Sequence, residues 1–493
     1  MDYKIVIPSH QRSNVIKSKT LAFLERHSIP KNIIYIFVAE DEIETYKNTL
    51  PEYNIVKGKK GLRENRKAIS HYFDDETRLC SIDDDVKDIK NYTNNSLVNL
   101  DYLIKDSFNY LKATGLRLMG IHPCDNPFFY TKNISNDLKF ICGAFRCFIN
   151  TKLCERRDYT LLEDYETTLR YYLYSGGVAR WNNIGIIANY KTLKGGLKET
   201  RTEELKLKEV DKFSKQYSNY CKTKKNNSEI QFIKNPQPSS IFSLWIQHDE
   251  DDSLPPIQIL SLLSAVRQGY IVELYTNLQS LGEELDPYLH NKQIKILNPF
   301  NILNSYDDTK ILPYSDLFRY TILLEKGGTW FDLDMIFLNR LNDSTETIIS
   351  SEHTFQSGAF KSKLTYTPNI GILRFKKGSE LLKEVIHKIT NKKKSNGKVT
   401  ENMEIFKNCL KKYNYNISEP NMYCPVPWWN VEEIYKDVDK FTTKYAVEVK
   451  DKKWCLQNPY AVHLWNNFSH QKNCLNQCEK NSLYNELQKL ILI

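Results

Sequence analysis

Glycine and proline are scarce in this chain, at 18 and 17 of 493 residues, which excludes collagen-like and Pro/Gly-rich low-complexity architectures. No run reaches the roughly 18 consecutive apolar residues of a membrane-crossing helix. The opening MDYKIVIPSHQ lacks the basic region and apolar stretch of a secretory signal. The expectation is a soluble, cytoplasmic protein with no membrane anchor. The 11 cysteines include no C-x-x-C pair of the kind that holds structural zinc, and they fit free thiols in a reducing compartment. There is no repeat of solenoid length and no basic tail. The net charge of +9 is spread along the chain, which permits a phosphate-rich partner without requiring one.

What is present is core-forming material. With 41% hydrophobic and 12% aromatic residues, the composition is that of a globular protein, and the length suggests two or three folded units. Heavy use of Lys, Asn, Ile and Tyr bears the imprint of an AT-rich genome, as in many large viruses and phages. Two segments begin alike, with a short apolar strand (4–7; 241–246), a polar turn, an amphipathic helix and a second apolar strand (33–39; 271–276). Strands alternating with helical patterns argue for β-α-β units and a mostly parallel sheet. The stretch KTKKNNSEIQFIKNPQPSS at 222–240 is polar and carries two prolines, so the expected layout is a domain over 1–222, a linker over 223–240 and a domain over 241–493.

In the first half, the apolar Leu79-Cys80-Ser81-Ile82 delivers Asp83, Asp84 and Asp85 at its carboxyl end. Ligands of open α/β sheets bind outside such strand ends. Three adjacent carboxylates repel, and Mg2+ or Mn2+ bridging them to a diphosphate relieves the repulsion. An acidic triplet also occurs as a solvated turn or a helix cap. Upstream, GKKGLRENR is a glycine-containing turn with basic residues suited to phosphate or a uracil-like group. Pro8, Ser9 and Arg12 follow the first strand, where a base would lie, and Glu163-Asp164 offers a general base.

The ordered segments IPSHQR, KTLAFLERHSIP, FVAEDEIETYKNTLP, GLRENR, SIDDDV, LLEDYE and KGGLKETR resemble the TET-associated glycosyltransferases, GT-A-type enzymes found mostly in phages, over about residues 1–205. That family is thought to place sugars on hydroxymethylated pyrimidines in DNA. The resemblance implies that Asp83 and Asp85 carry the metal, with Asp84 beside them on the donor. Arg63 and Arg66 would contact the nucleotide, and Asp164 would activate the acceptor hydroxyl. Lys194, Gly195, Gly196 and Arg201 would belong to a loop over the donor phosphates. Glu163 and Asp164 are equally placed to orient the donor sugar or cap a helix.

The second half contains SDLFRYTILLEKGGTWFDLDMIFL at 315–338. Ser315 and Asp316 are read as the cap of a helix through Leu324, ended by Gly327-Gly328. A strand then presents Asp332 and Asp334, which alternation sends to one face, where they can grip one cation and a ribose hydroxyl. Asp316 and Arg319, three apart on a helix, face the same way. An exposed hairpin with an Asp/Arg ion pair is the plainer reading.

This run, with SLWIQ, GYIVELYTN, PNIGILRFKKGSELL and AVHLWNNFS, resembles the DxD region of retaining glycosyltransferases of α-mannosyl, α-1,4-galactosyl and capsule type, over about 241–470. By that resemblance Asp316 and Arg319 bind the donor sugar, Asp332 the ribose and sugar, and Asp334 the metal. His463 would complete the metal or diphosphate site, or serve as a core histidine beside Trp465. Trp245 would stack on the nucleobase or simply pack. The combined expectation is an α/β chain of two GT-A-like domains in tandem, using Mn2+ or Mg2+ and a nucleotide sugar, UDP-hexose foremost. Its first domain would glycosylate hydroxymethylated DNA and its second extend that sugar by an α linkage. Alternatives are a builder of glycan on protein, lipid or capsule, and a nucleotide- or DNA-binding protein with inactive transferase domains.

Overall fold

The computed structural model describes residues 2–92, 99–124, 126–188, 202–224, 228–247, 254–303, 311–356, 363–391, 401–440, 447–450, 453–456 and 459–492. The chain divides into two compact units after Gln237.

In the first unit, β1 (Lys4–Pro8), β2 (Ile34–Val38) and β3 (Asn54–Lys57) are followed by helix α1 (Leu62–Tyr72), β4 (Arg78–Ile82) and β5 (Val86–Asn91). Helix α2 (Leu100–Thr114), β6 (Leu118–His122), β7 (Ile134–Ser135), β8 (Phe145–Ile149), α3 (Glu163–Ser175) and β9 (Ala179–Ala188) complete the sheet region. The sheet order is β3-β2-β1-β4-β8-β6-β9-β5, with β7 on β9. β1 runs parallel to β2 and β4, whereas β8 lies antiparallel between β4 and β6. β1 and β4 are near-continuous apolar runs because the central parallel strands are covered on both faces. Ile5, Ile7, Ile36, Cys80 and Ile82 pack with Leu103 and Phe108 of α2, each fully buried large aliphatic or aromatic side chain contributing roughly 1.5–3 kcal/mol.

Helix α4 (Glu203–Gln216) follows, capped by the Thr202 hydroxyl, and then the antiparallel pair β10 (Cys221–Thr223) and β11 (Ile230–Phe232). Cys221 and Ile230 pack with Phe213, Tyr217 and Leu169. Part of the expected linker is therefore built into the first unit. Its polar composition hides one apolar residue, Ile230, that is buried, and a partly buried Phe232 packed beside it.

The second unit holds β12 (Ser240–Trp245), α5 (Pro256–Arg267), β13 (Ile271–Thr276), β14 (Ile294–Leu297), α6 (Ile311–Lys326), β15 (Gly328–Phe331) and β16 (Met335–Phe337). The long hairpin β17 (Ile348–Gln356) and β18 (Lys363–Phe375), α7 (Glu380–Thr390), the pair β19 (Val447–Lys450) and β20 (Lys453–Leu456), and β21 (Ala461–His463) follow. The main sheet is β14-β13-β12-β15-β18-β17, and β16 pairs separately with β21. β12 is parallel to β13 and β15, while β18 is antiparallel to β15.

Both units thus share one plan: third, second and first strands, then the strand that ends in aspartates, then an antiparallel neighbour. The α/β class expected from the sequence is what these sheets form. Helix α6 starts at Ile311, so Ser315 and Asp316 lie inside it and do not cap it. Gly327 (φ +69°) and Gly328 (φ +105°) end it in backbone conformations that glycine adopts without strain. Among the described residues no helix is long and apolar enough to cross a membrane.

Candidate active sites

Each acidic motif sits on a turn between two strands. In the first unit Asp83, Asp84 and Asp85 join β4 to β5. The Asp83 N–H donates to Ala144 O at 3.1 Å, and the Thr20 hydroxyl donates to Asp83 O at 2.8 Å. In the second unit Asp332, Leu333 and Asp334 join β15 to β16, where the Met335 N–H donates to Asp332 O at 3.0 Å and the Asp332 N–H to Gly371 O at 2.8 Å. Asp332 and Asp334 therefore do not alternate along a strand as expected. The ladder with β18 closes at Phe331, and a turn brings the two carboxylates to one end of the sheet.

Arg66 on α1 is the hub of the first site. It is 2% exposed. It donates to Glu163 Oε1 and Asp164 Oδ1 at 2.6 Å and to Asp83 Oδ1 at 2.9 Å. Glu163 and Asp164 open helix α3, whose positive end favours carboxylates. The chain of pairs continues inward: Glu163 meets Arg157, Arg157 meets Glu155 at 2.5 Å, and Glu155 takes two bonds from Arg146 at 2.8 and 3.1 Å. On the other side Asp84 accepts from Ser9 at 2.7 Å and from Arg12 at 2.9 Å, and Arg12 reaches Asp85 at 3.5 Å. A Cβ on Gly143 would overlap the Arg66 guanidinium and the Asp164 carboxylate, so only glycine fits beside them.

Directly paired carboxylates here outnumber guanidiniums, six (Asp83, Asp84, Asp85, Glu155, Glu163, Asp164) to four (Arg12, Arg66, Arg146, Arg157). The excess is felt at Asp85, pushed up to about 6 by burial and then by Asp83 and Asp84. Burial also raises Glu163. Burial works against the Asp164 carboxylate too, but Arg66 and the Gly143 N–H, which donates at 3.0 Å, hold it below the usual range.

In the second site Arg319 of α6 takes the place of Arg66. It lies 3.2 Å from Asp332 Oδ1, donates to Ile370 O at 2.9 Å and stands 3.6 Å from Asp316. The Trp330 indole also donates to Asp332, at 2.8 Å. Asp334 is held at one oxygen by His463 Nε2, 3.1 Å away, and at the other by the Asn466 N–H, 2.8 Å away. The Met335–His463 pairing of β16 with β21 brings that histidine in from the C-terminal region. Burial would lower the imidazole, yet Asp334 raises it well above its ordinary value, while burial raises Asp332 against the pull of Arg319. His463 also stacks on Trp465 at 3.8 Å and meets Cys424 Sγ at 3.7 Å.

The structure thus gathers Ser9, Arg12, Arg66, Asp83, Asp84, Asp85, Glu163 and Asp164 in one site, and Asp316, Arg319, Asp332, Asp334 and His463 in the other. Arg66, enclosed by carboxylates, is a scaffold cation and not the nucleotide contact expected of it. Glu163, 4% exposed between Arg66 and Arg157, is enclosed likewise. Arg63 stays apart, bonded to Glu64 at 2.8 Å and 3.5 Å from Asp158 O. Pro8 ends β1 one residue before Ser9. Trp245 ends β12, half-buried, its indole donating to Gln247 at 3.0 Å. Lys194, Gly195, Gly196 and Arg201 lie outside the described residues. Sequence reasoning missed Gly143, Arg146, Glu155, Arg157, Cys424 and Asn466. Gly143 meets Asp164 from 21 positions away and Asn466 meets Asp334 from 132, beyond any spacing rule, while Arg146, Glu155 and Arg157 lie outside regular strand or helix spacing.

A family model for a glycosyltransferase sugar-binding region containing a DXD motif matches residues 204–355, and one for an alpha 1,4-glycosyltransferase conserved region matches 366–490. The second unit holds a DXD glycosyltransferase region. Among curated proteins nothing matches the chain. Among solved structures it is similar to the PaToxG glycosyltransferase, with 15% identity, TM-score 0.26, and 43% of this chain and 79% of that one covered. It is also similar to TarS of S. aureus in complex with UDP, with 14% identity, TM-score 0.26, and 38% and 59% covered. A third is glucosyl-3-phosphoglycerate synthase of Mycobacterium tuberculosis, solved with Mn2+, UDP and glucosyl-3-phosphoglycerate, with 11% identity, TM-score 0.27, and 47% and 87% covered.

Proposed function

We propose that the chain is a bifunctional, metal-dependent hexosyltransferase. Its first unit transfers a sugar from a nucleotide carrier, UDP-hexose foremost, to a hydroxymethylated pyrimidine in DNA, and its second adds a further sugar by an α linkage. The observation that carries the two-site reading is the repetition of one device: an aspartate turn after the equivalent strand, its first aspartate held by an arginine of the preceding helix. The alpha 1,4-glycosyltransferase match supports the α linkage. The family resemblance of residues 1–205 and the +9 charge support the DNA acceptor.

The carboxylate excess of the first site and the Asp334–His463 pair of the second suit a hard divalent cation. Among the described residues no three His, Cys, Asp or Glu side chains enclose a metal by themselves. Asp83 and Asp85, and Asp334 with His463 once the imidazole gives up its proton, would hold it together with the donor diphosphate. Bound there, Mn2+ or Mg2+ supplies positive charge against the departing diphosphate. Arg66 and Arg319 fix the first aspartate of each turn. Asp316 and Asp332 orient the donor in the second site.

In the first unit the acceptor oxygen bonds to the anomeric carbon, the bond from that carbon to the diphosphate oxygen breaks, and Asp164 takes the hydroxyl proton. In the second, the departing phosphate oxygen accepts the proton, so no protein base is required.

The test incubates the full chain with Mn2+, a panel of nucleotide sugars, and DNA with or without 5-hydroxymethylcytosine, read by mass analysis. A hexose on the modified base, lost in Asp83→Ala/Asp85→Ala, and a dihexose lost in Asp332→Ala/Asp334→Ala, are expected. Modification of glycan or peptide acceptors alone refutes the DNA reading, and loss of the first hexose in Asp332→Ala/Asp334→Ala, or failure of Asp83→Ala/Asp85→Ala to extend DNA that already carries the hexose, refutes independent sites.

A further inference from the structure

The second unit carries an aromatic surface that the donor site does not use. Phe355, Leu364, Tyr366 and Trp428 are 53%, 47%, 51% and 40% exposed. In the β17–β18 hairpin Phe355 lies opposite Leu364, and His353 opposite Tyr366. Directly opposed residues and residues two apart share a face, so Phe355, Leu364 and Tyr366 form one stripe. Trp429 meets Phe355 at 4.9 Å and Trp428 at 5.5 Å, and Trp428 stacks on Phe468 at 5.0 Å. Phe468 lies two residues beyond Asn466, whose N–H holds Asp334. The segment that carries it also borders the donor site: Val426 O, two residues before Trp428, accepts from the indole of Trp465 at 2.7 Å, and Trp465 stacks on His463.

Exposed apolar patches of this extent mark binding surfaces. The charges around this one narrow its ligand. Among the described residues no Lys or Arg stacks on these rings. The short helix Trp428–Ile434 that carries both tryptophans also presents Glu432 and Glu433, and the nearby Lys436 and Lys472 are already paired with Glu432. Among the described side chains an anionic polymer backbone finds little free positive charge here. A neutral ring with an apolar C–H face and a hydroxyl rim finds aromatic planes and polar neighbours such as Asn430.

We propose that this surface is the acceptor subsite of the second unit, and that it takes the pyranose ring of a sugar already attached to the acceptor. The proposal rests on the reading of the second unit as a sugar transferase. It explains why one chain would carry two transfer sites: the product of the first is the ligand of the second.

The test uses the full chain, Mn2+, UDP-hexose and a panel of methyl hexopyranosides. In Trp428→Ala and Trp429→Ala the acceptor KM rises about tenfold or more while the donor KM stays within about twofold. Trp428→Phe, which keeps an aromatic plane, recovers most of the loss, and Leu475→Ala, on another exposed residue, changes nothing. Independently of turnover, a methyl pyranoside quenches wild-type tryptophan fluorescence, less so in the alanine variants, and a single-stranded oligonucleotide does not.

An unchanged acceptor KM overturns the proposal. So does quenching by the oligonucleotide alone, or a change of oligomeric state in place of a KM shift. A wild-type chain that turns over no nucleotide sugar refutes the transferase reading instead, and the fluorescence titration then still decides the subsite.

Discussion

Arg66→Met tests the first site at its hub. Methionine keeps most of the length of the buried stem and deletes the guanidinium that faces Asp83, Glu163 and Asp164. Glu163 retains Arg157, and Asp164 retains the Gly143 N–H, but Asp83 and one oxygen of Asp164 lose their partner. Removing one side of a buried ion pair costs about 3–5 kcal/mol. The pH dependence has a definite sign. Without Arg66 the native carboxylates bind protons more tightly than in the unfolded chain, so the native state holds more protons and its stability falls as pH rises. The defect is therefore larger at about pH 8 than at about pH 5.5. Peptide-resolved hydrogen exchange on α1 and α3 of the full chain measures it. Adding Asp83→Asn and Asp164→Asn to Arg66→Met removes the stranded charges and recovers most of the loss. A variant as stable as wild type, a defect that deepens toward acid, or a triple variant no better than the single one refutes this account of the hub.

Two further outcomes follow from the same chain of charges. Burial would raise Glu155, but Arg146 and Arg157 hold it at about 2, below its ordinary 4.5; its contribution, on the order of 3 kcal/mol, is therefore present above the ordinary value and lost as pH falls through about 2. Acid unfolding followed by near-ultraviolet circular dichroism shows this as a slope that Glu155→Gln flattens, and an unaltered slope contradicts the assignment. Asp164→Asn lowers first-site kcat by about 10²–10⁴ with the donor KM unchanged if the carboxylate takes the acceptor proton; a rise in donor KM at constant kcat assigns it to holding the donor sugar.

The strands and both acidic runs were legible because their signals are local: apolar runs bounded by turns, and carboxylates at a strand end. Arg12, Arg66, Arg319 and His463 were legible as site residues, but most of their pairings with those carboxylates were not, because the partners are remote in sequence. Glu163 is 97 positions from Arg66, and His463 reaches Asp334 only through the β16–β21 pairing. The turn carrying Asp332 and Asp334 was mistaken for strand because alternation describes side-chain period and cannot show where the ladder with β18 stops. Arg63 and Arg66 show the limit most directly. They are the same residue type, three apart on one helix, and so roughly on one face, and the sequence assigns both to the nucleotide. Arg63, in the first turn of α1, finds Glu64 and solvent, whereas Arg66, one turn further in, finds three carboxylates delivered by β4 and α3. What separates a surface arginine from the buried hub of a site is therefore the arrival of other elements at that point of the helix, a property of the assembled sheet that GLRENR cannot contain.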